Sequence, residues 1–149
     1  MAASLQQIHP ASKNILKQNV DNFWMTGHLE AEGNCHIWQG TYSKTTKKRT
    51  SKYPKHTFRY LIVDENGEPS RKRADHYVHH VVLFLEHGTK PIKDSMEISH
   101  LCHDSRCLNV THLHREPHQV NKERYRKCVK NNQQLCQGHG PEYPDCIFD

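Results

Sequence analysis

Apolar side chains are scarce in this chain of 149 residues: they make up 34% of it, against about 45–50% in an ordinary globular domain. Ordering the backbone alone costs about 1–2 kcal/mol per residue, so burial is a weak counterweight here and a second device has to hold the fold. There is no uninterrupted apolar stretch of the roughly 18 residues that a membrane-spanning helix needs. Residues 1 to 10 lack the cationic start and apolar follow-on of a secretory signal. Internal repeats and low-complexity segments are missing as well. The expectation is a single domain over residues 1–149, nuclear or cytoplasmic, not secreted, with no membrane partner.

What the chain does have is six cysteines, fourteen histidines and a formal net charge of +5. In a reducing compartment, cysteines interspersed with histidines point to metal ligands before disulfides. The positive charge is a mild pointer to a polyanionic partner. Residues 11 to 24 put Ile15, Leu16, Val20, Phe23 and Trp24 on one helical face, with Ser12 as N-cap after Pro10. Residues 35 to 40 (CHIWQG) predict a short strand. Residues 56 to 63 (HTFRYLIV) predict a longer one, closed by the turn formers Asp64, Glu65, Asn66 and Gly67. The spacing of Ala74, Tyr77, Val78, Val81, Phe84 and Leu85 predicts a core helix over 74–87, ended by Gly88. Between Lys44 and Arg59 lie Lys47, Lys48, Arg49, Lys52 and Lys55, with no acid and with threonines and Tyr53 interleaved. That stretch predicts basic strands suited to phosphate and groove contacts.

The ligand spacing is the most specific signal. Cys102-x4-Cys107-x4-His112 supplies three ligands, and Cys35 is the one cysteine outside the last third of the chain. Cys128-x7-Cys136-x2-His139-x6-Cys146 supplies four on its own. Six cysteines therefore divide into two Cys3His sets with none left over, each filling a tetrahedral zinc and leaving no open position for catalysis. Among so many histidines, His103, His114 and His118 remain alternatives to His112 and His139 on spacing alone.

The run from Ser99 to Leu113 reads S-H-L-C-H-x2-R-C-x-N-x2-H-L, with Asn121 nine residues beyond His112. This pattern resembles the His-Cys box homing endonucleases, a branch of the His-Me finger (ββα-metal) nucleases, in detail over about residues 97 to 146. The resemblance implies an α+β fold: a small zinc-stapled mixed domain with antiparallel β-sheets and a ββα-metal nuclease core. Residues 1–95 would carry the N-terminal helix, the DNA-binding strands and the core helix. Residues 96–128 would carry the ββα core and 128–149 a zinc loop. The first core strand would run from Met96 to His100, the return strand from His112 to Arg115, and the helix would begin near Pro117. By the same resemblance Cys35, Cys102, Cys107 and His112 hold one structural Zn2+, and Cys128, Cys136, His139 and Cys146 the other. His100 falls at the general base, Asn121 at the ligand of one catalytic Mg2+, and Arg73, or else Arg71, at the arginine that contacts the scissile phosphate. Three residues follow Cys146, so a tail exchanged between partners is not expected, and a homodimer is left without that support.

The implied activity is metal-dependent hydrolysis of phosphodiester bonds in double-stranded DNA. A neutral imidazole accepts a proton from water at physiological pH, and a hard cation on the Asn121 amide oxygen and the phosphate stabilises developing charge. The competing expectation is a zinc-stapled DNA-binding protein of the same fold that does not cleave. Composition, charge and zinc ligands serve both equally, and only His100, Asn121 and an arginine separate them. A zinc-dependent protein interaction module explains the cysteines but leaves the basic stretch idle.

Overall fold

The computed structural model describes residues 5, 7–48, 51–88 and 96–148. Helix α1 (Pro10–Asn22) is followed by a hairpin, β1 (Leu29–Glu32) and β2 (Cys35–Trp38), and then by a longer hairpin, β3 (Lys55–Val63) and β4 (Pro69–Tyr77). Helix α2 (Val78–His87) follows directly. A third hairpin, β5 (Met96–His100) and β6 (Leu113–Pro117), leads into α3 (His118–Arg124), which continues through a π turn at Tyr125–Val129. All three hairpins are antiparallel two-stranded sheets. Among the described residues no helix is long and apolar enough to cross a membrane.

Helix α1 forms where the sequence predicts one, but it starts at Pro10, ahead of the expected cap Ser12. His9 is the N-cap, its Nδ1 accepting from the Ala11 N–H at 3.1 Å. Ser12 lies inside the helix, fully buried, and its hydroxyl accepts from the Leu61 N–H at 2.8 Å, fastening α1 to β3. Leu16 and Phe23 enter the core, whereas Ile15 and Trp24 are exposed. The helix ends at Asn22, and beyond it Trp24 turns outward against the His36 ring.

The largest departure from the sequence reading is at residues 74–77. They belong to β4, and α2 begins only at Val78. β4 pairs with β3 along its whole length, from Val63↔Pro69 to Lys55↔Tyr77. That ladder of backbone hydrogen bonds outweighs the helical spacing of Ala74 and Tyr77, which on the strand fall on opposite faces, while Ala74 and His76 share one. The turn between the strands follows expectation: Asp64 Oδ1 accepts from the Asn66 and Glu68 N–H groups, and Gly67 has φ 78°. Gly88 caps α2 at φ 75°, its N–H reaching the Phe84 carbonyl at 2.8 Å.

The core gathers Leu16 of α1, Phe23 just past its end, Trp38 of β2, Phe58 and Tyr60 of β3, Val78, Val81 and Phe84 of α2, and Leu108. It is small, as the composition requires. The basic stretch is strand only from Lys55 onward. Lys44, Lys47 and Lys48 occupy an exposed irregular loop, Lys52 is exposed just before the strand, and Arg49 lies outside the described residues. Tyr42 and Pro54 bridge the base of that loop, which spares its lysines from pairing in a sheet.

Candidate metal centres and catalytic cleft

Residues 101–112 fold by local hydrogen bonding into a loop that presents ligands. Asp104 Oδ1 accepts from the Arg106 N–H at 3.0 Å and its carboxylate pairs with the same guanidinium. Asn109 caps a 3-10 turn (Val110–His112), its side chain accepting from the Thr111 N–H at 3.1 Å, while its own amide donates to the Asn34 carbonyl at 2.8 Å. The loop docks on β2 through Trp38 N–H to Arg106 O and Leu108 N–H to His36 O. Cys107 is thereby brought against Cys35, 72 positions earlier in the chain.

The donor atoms of Cys35, Cys102, Cys107 and His112 lie within 4.8 Å of one another, and so do those of Cys128, Cys136, His139 and Cys146. Zinc held at about 2.3 Å from sulfur and about 2.0 Å from nitrogen in a tetrahedron imposes an S···N edge of roughly 3.5 Å. In the first set Cys35 Sγ and Cys107 Sγ stand 3.6 and 3.5 Å from His112 Nδ1. In the second, the three sulfurs stand 3.3 to 3.4 Å from His139 Nε2. Burial first, then the neighbouring thiols, pushes Cys35 and Cys128 up to about 12. The Cys102 thiol, by hydrogen bonding, holds Cys107 down at about 5, so the first set already favours a thiolate, the form in which cysteine binds zinc. All six cysteines are free thiols. Both sets fit Zn2+ in donor type, number and spacing. The alternative histidines are engaged elsewhere: His103 stacks on Phe148, His114 meets Glu116, and His118 meets Glu97.

The hairpin β5–β6 and helix α3 lie between the two metal sets. His100 closes β5, its ring stacked on Tyr53 at 6.1 Å and packed against His79 of α2 at 5.1 Å. Its Nε2 is buried without a hydrogen-bond partner. Burial lowers its pKa to about 4, so the ring is neutral at physiological pH. Beside this group opens a cleft of about 190 Å³ lined by Tyr53, Tyr77, His79, His80, Met96, Glu97, Ile98, Arg115 and Asn121. Asn121, on the first turns of α3, donates its amide N–H to Glu97 Oε1, and Glu97 Oε2 lies 2.9 Å from His118 Nδ1.

Arg73 and Arg71 are not in this cleft. Arg73 sits on β4 opposite Arg59, and both line a separate hollow beneath α1. The arginine of the cleft is Arg115, on β6. Sequence reasoning also passed over His79, His80, Glu97 and Tyr53. The pair His79-His80 in an otherwise apolar helix, YVHHVVLFL, was a readable signal. For Glu97 and Arg115 the one local hint was charge on strands flanking the motif.

A small α+β domain with two closed Cys3His sets around a β-hairpin and helix is a zinc-stapled ββα unit. The family model describing the zinc-binding loop region of homing endonucleases matches residues 34–149, and the chain belongs to that family. No curated protein matches it significantly.

Proposed function

We propose that this protein is an endonuclease that hydrolyses phosphodiester bonds of double-stranded DNA with one Mg2+, using His100 as general base and Asn121 as a ligand of the cation. The observation that carries the reading is one cleft lined by the imidazoles of His79 and His80 on α2, the cation of Arg115 on β6 and the carboxamide of Asn121 on α3, with His100 of β5 packed against His79 beside it. Family membership supports the same class of chemistry.

In this mechanism His100, uncharged because it is buried, accepts the proton of the attacking water. The stacked Tyr53 ring and the tilted His79 ring hold its imidazole in one orientation. Arg115 neutralises the phosphate, the role that the family resemblance gave to Arg73. Mg2+, when bound, stabilises negative charge on the phosphate and the leaving oxygen. Asn121 offers it a hard amide oxygen, the donor type it prefers.

DNA would be gripped by the β3–β4 ribbon. Arg59 and Arg73 are direct cross-strand neighbours, Arg71 follows on the same face, and all three are exposed. Like charges set opposite one another destabilise a hairpin, a cost that phosphate contacts offset. A two-stranded ribbon is narrow enough for a major groove.

The test is incubation of zinc-loaded protein with supercoiled plasmid, with and without Mg2+. Nicking or linearisation that needs Mg2+ is expected. His100→Ala is expected to lose about 10²–10⁴ in rate while keeping zinc content and DNA affinity. Asn121→Ala is expected to be partly rescued by more Mg2+. A protein that binds DNA and cuts neither plasmid nor single strands with Mg2+ or Mn2+ would be the non-cleaving DNA-binding protein instead.

A further inference from the structure

We propose that Glu97 is a second protein ligand of the divalent cation at Asn121, so that the free protein carries a charged cation site in the cleft before nucleic acid arrives. The inference rests on the assignment of Asn121 as a cation ligand and adds a carboxylate to it.

Glu97 of β5 and Glu116 of β6 are direct partners, so two carboxylates project side by side from one face of the sheet, an arrangement that repels unless each charge is compensated. Helix α3 covers that face with His118, Asn121 and Arg124, spaced three residues apart on one stripe. Glu116 receives Arg124, at 2.6 and 2.8 Å from Nε and Nη2, and is sealed from solvent. Glu97 receives Asn121 and His118 from the same stripe.

An arginine neutralises a carboxylate by itself. An asparagine cannot, but its carboxamide oxygen, next to a carboxylate oxygen, is the donor set of a hard divalent cation. A half-turn of the Asn121 amide exchanges Nδ2 for Oδ1 beside Glu97, and the two oxygens then face one position with a cation between them. Glu97 is the one carboxylate among the described residues lining the cleft, and its side chain stays 37% exposed, so an ion can reach it. Ligand charge is what tunes affinity at such sites. A carboxylate plus a carboxamide therefore binds far more tightly than a carboxamide alone.

The experiment is titration of the full-length, zinc-loaded protein with Mn2+ in the absence of DNA, with free Mn2+ followed by electron paramagnetic resonance and zinc content measured before and after. Wild type is expected to take up one Mn2+ without losing zinc. Glu97→Gln, which keeps an acceptor for the Asn121 amide and removes the charge, is expected to bind at least about tenfold more weakly, with unchanged zinc content and melting temperature. Equal binding by Glu97→Gln and wild type would overturn the proposal. So would absence of Mn2+ uptake by wild type; Mg2+-dependent cleavage by the same sample would then leave the nuclease and Asn121 standing without Glu97. Asn121→Ala binding Mn2+ as wild type does would overturn the shared site from the other side, and with it the assignment of Asn121.

Discussion

Glu116 has no exposed surface, and each of its oxygens is engaged. Ser99 donates its hydroxyl to Oε2 at 2.6 Å, Arg124 donates to both oxygens, and His114 Nδ1 lies 2.9 Å from Oε1. Burial opposes the charge, but Arg124, Ser99 and His114 together hold the carboxyl below its usual range. Through Nη1, Arg124 also reaches Cys146 Sγ at 3.5 Å, which joins the hairpin to the second metal set. Removing one member of a buried ion pair leaves the other uncompensated. Arg124→Met is therefore expected to cost about 3–5 kcal/mol, and Glu116→Leu added to it to restore much of that loss. Urea unfolding with zinc present measures both, and a loss under about 1 kcal/mol for the single variant would show the pair to be dispensable. His76 makes a different prediction. It is buried beside the Tyr60 hydroxyl at 2.7 Å, and burial lowers its pKa from 6.5 to about 4. Above pH 6.5 both folded and unfolded chains hold it neutral, and its contribution to stability is complete. Between 6.5 and 4 the unfolded chain takes up a proton that the folded one refuses, so stability falls as pH falls, by about 1 kcal/mol per pH unit. His76→Gln keeps a partner for Tyr60 and cannot titrate. Its stability should vary less than that of wild type between pH 7 and 5, a difference from which the shared titration of the zinc ligands cancels.

At the scale of elements, the three hairpins differ in what they present: β1–β2 carries a metal ligand, β5–β6 carries the proposed base His100 together with Glu97 and Arg115, and β3–β4 presents charge. If the last is the DNA grip, replacing Arg59, Arg71 and Arg73 together by Ala should flatten the dependence of log affinity on log salt by up to about 3. The same change at Lys44, Lys47 and Lys48 reports on the loop, and an unchanged slope in the ribbon variant would assign the contacts there. How much of this could be read beforehand differs by element. β5 has the expected ends, Met96 and His100, because the motif itself specifies them. β6 and α3 begin one residue later than expected, His112 closing a 3-10 turn and Pro117 serving as cap. The six cysteines were legible from their number and spacing, whereas His112, His139 and the distant Cys35 were assigned to their sets by the family resemblance, and the structure brings all eight together as expected. β4 was not legible. Its pairing with β3 is a non-local ladder, and PSRKRADHY carries few of the branched or aromatic residues that mark strands. The cleft was half legible. His100 and Asn121 come from the motif, whereas Glu97, Arg115 and His79 meet them only once the register of β5 with β6 and the packing of α2 are set.

For the whole molecule, the two metal sets hold different things. The first closes a span from Cys35 to His112 and pins β2 to the loop of residues 101–112, so the core cluster at Trp38 and Leu108 depends on it. The second closes residues 128–146, and its links to the rest run through Arg124 and the Ile147 N–H to Leu101 O bond. Within the first set Cys35, Cys107 and His112 are buried; in the second only Cys128 is, with Cys136, His139 and Cys146 half-exposed. Protein purified without added zinc is expected to carry about two equivalents, since each set of four ligands closes one tetrahedron. A chelator should then remove them in two phases. The first equivalent should leave from the second, less buried set, with little loss of helix or of the tertiary signal from Trp38. The second should leave slowly and with global unfolding, because for a core this thin the binding free energy of zinc is folding free energy. Cys107→Ser should accordingly yield no soluble folded protein, while Cys146→Ser should fold, hold about one zinc and melt at a lower temperature. Zinc release followed by a colorimetric chelator, with circular dichroism recorded in parallel, distinguishes the order. A single phase in which both ions and all structure are lost together would mean that the two sets stabilise one cooperative unit and that the division drawn from burial is wrong.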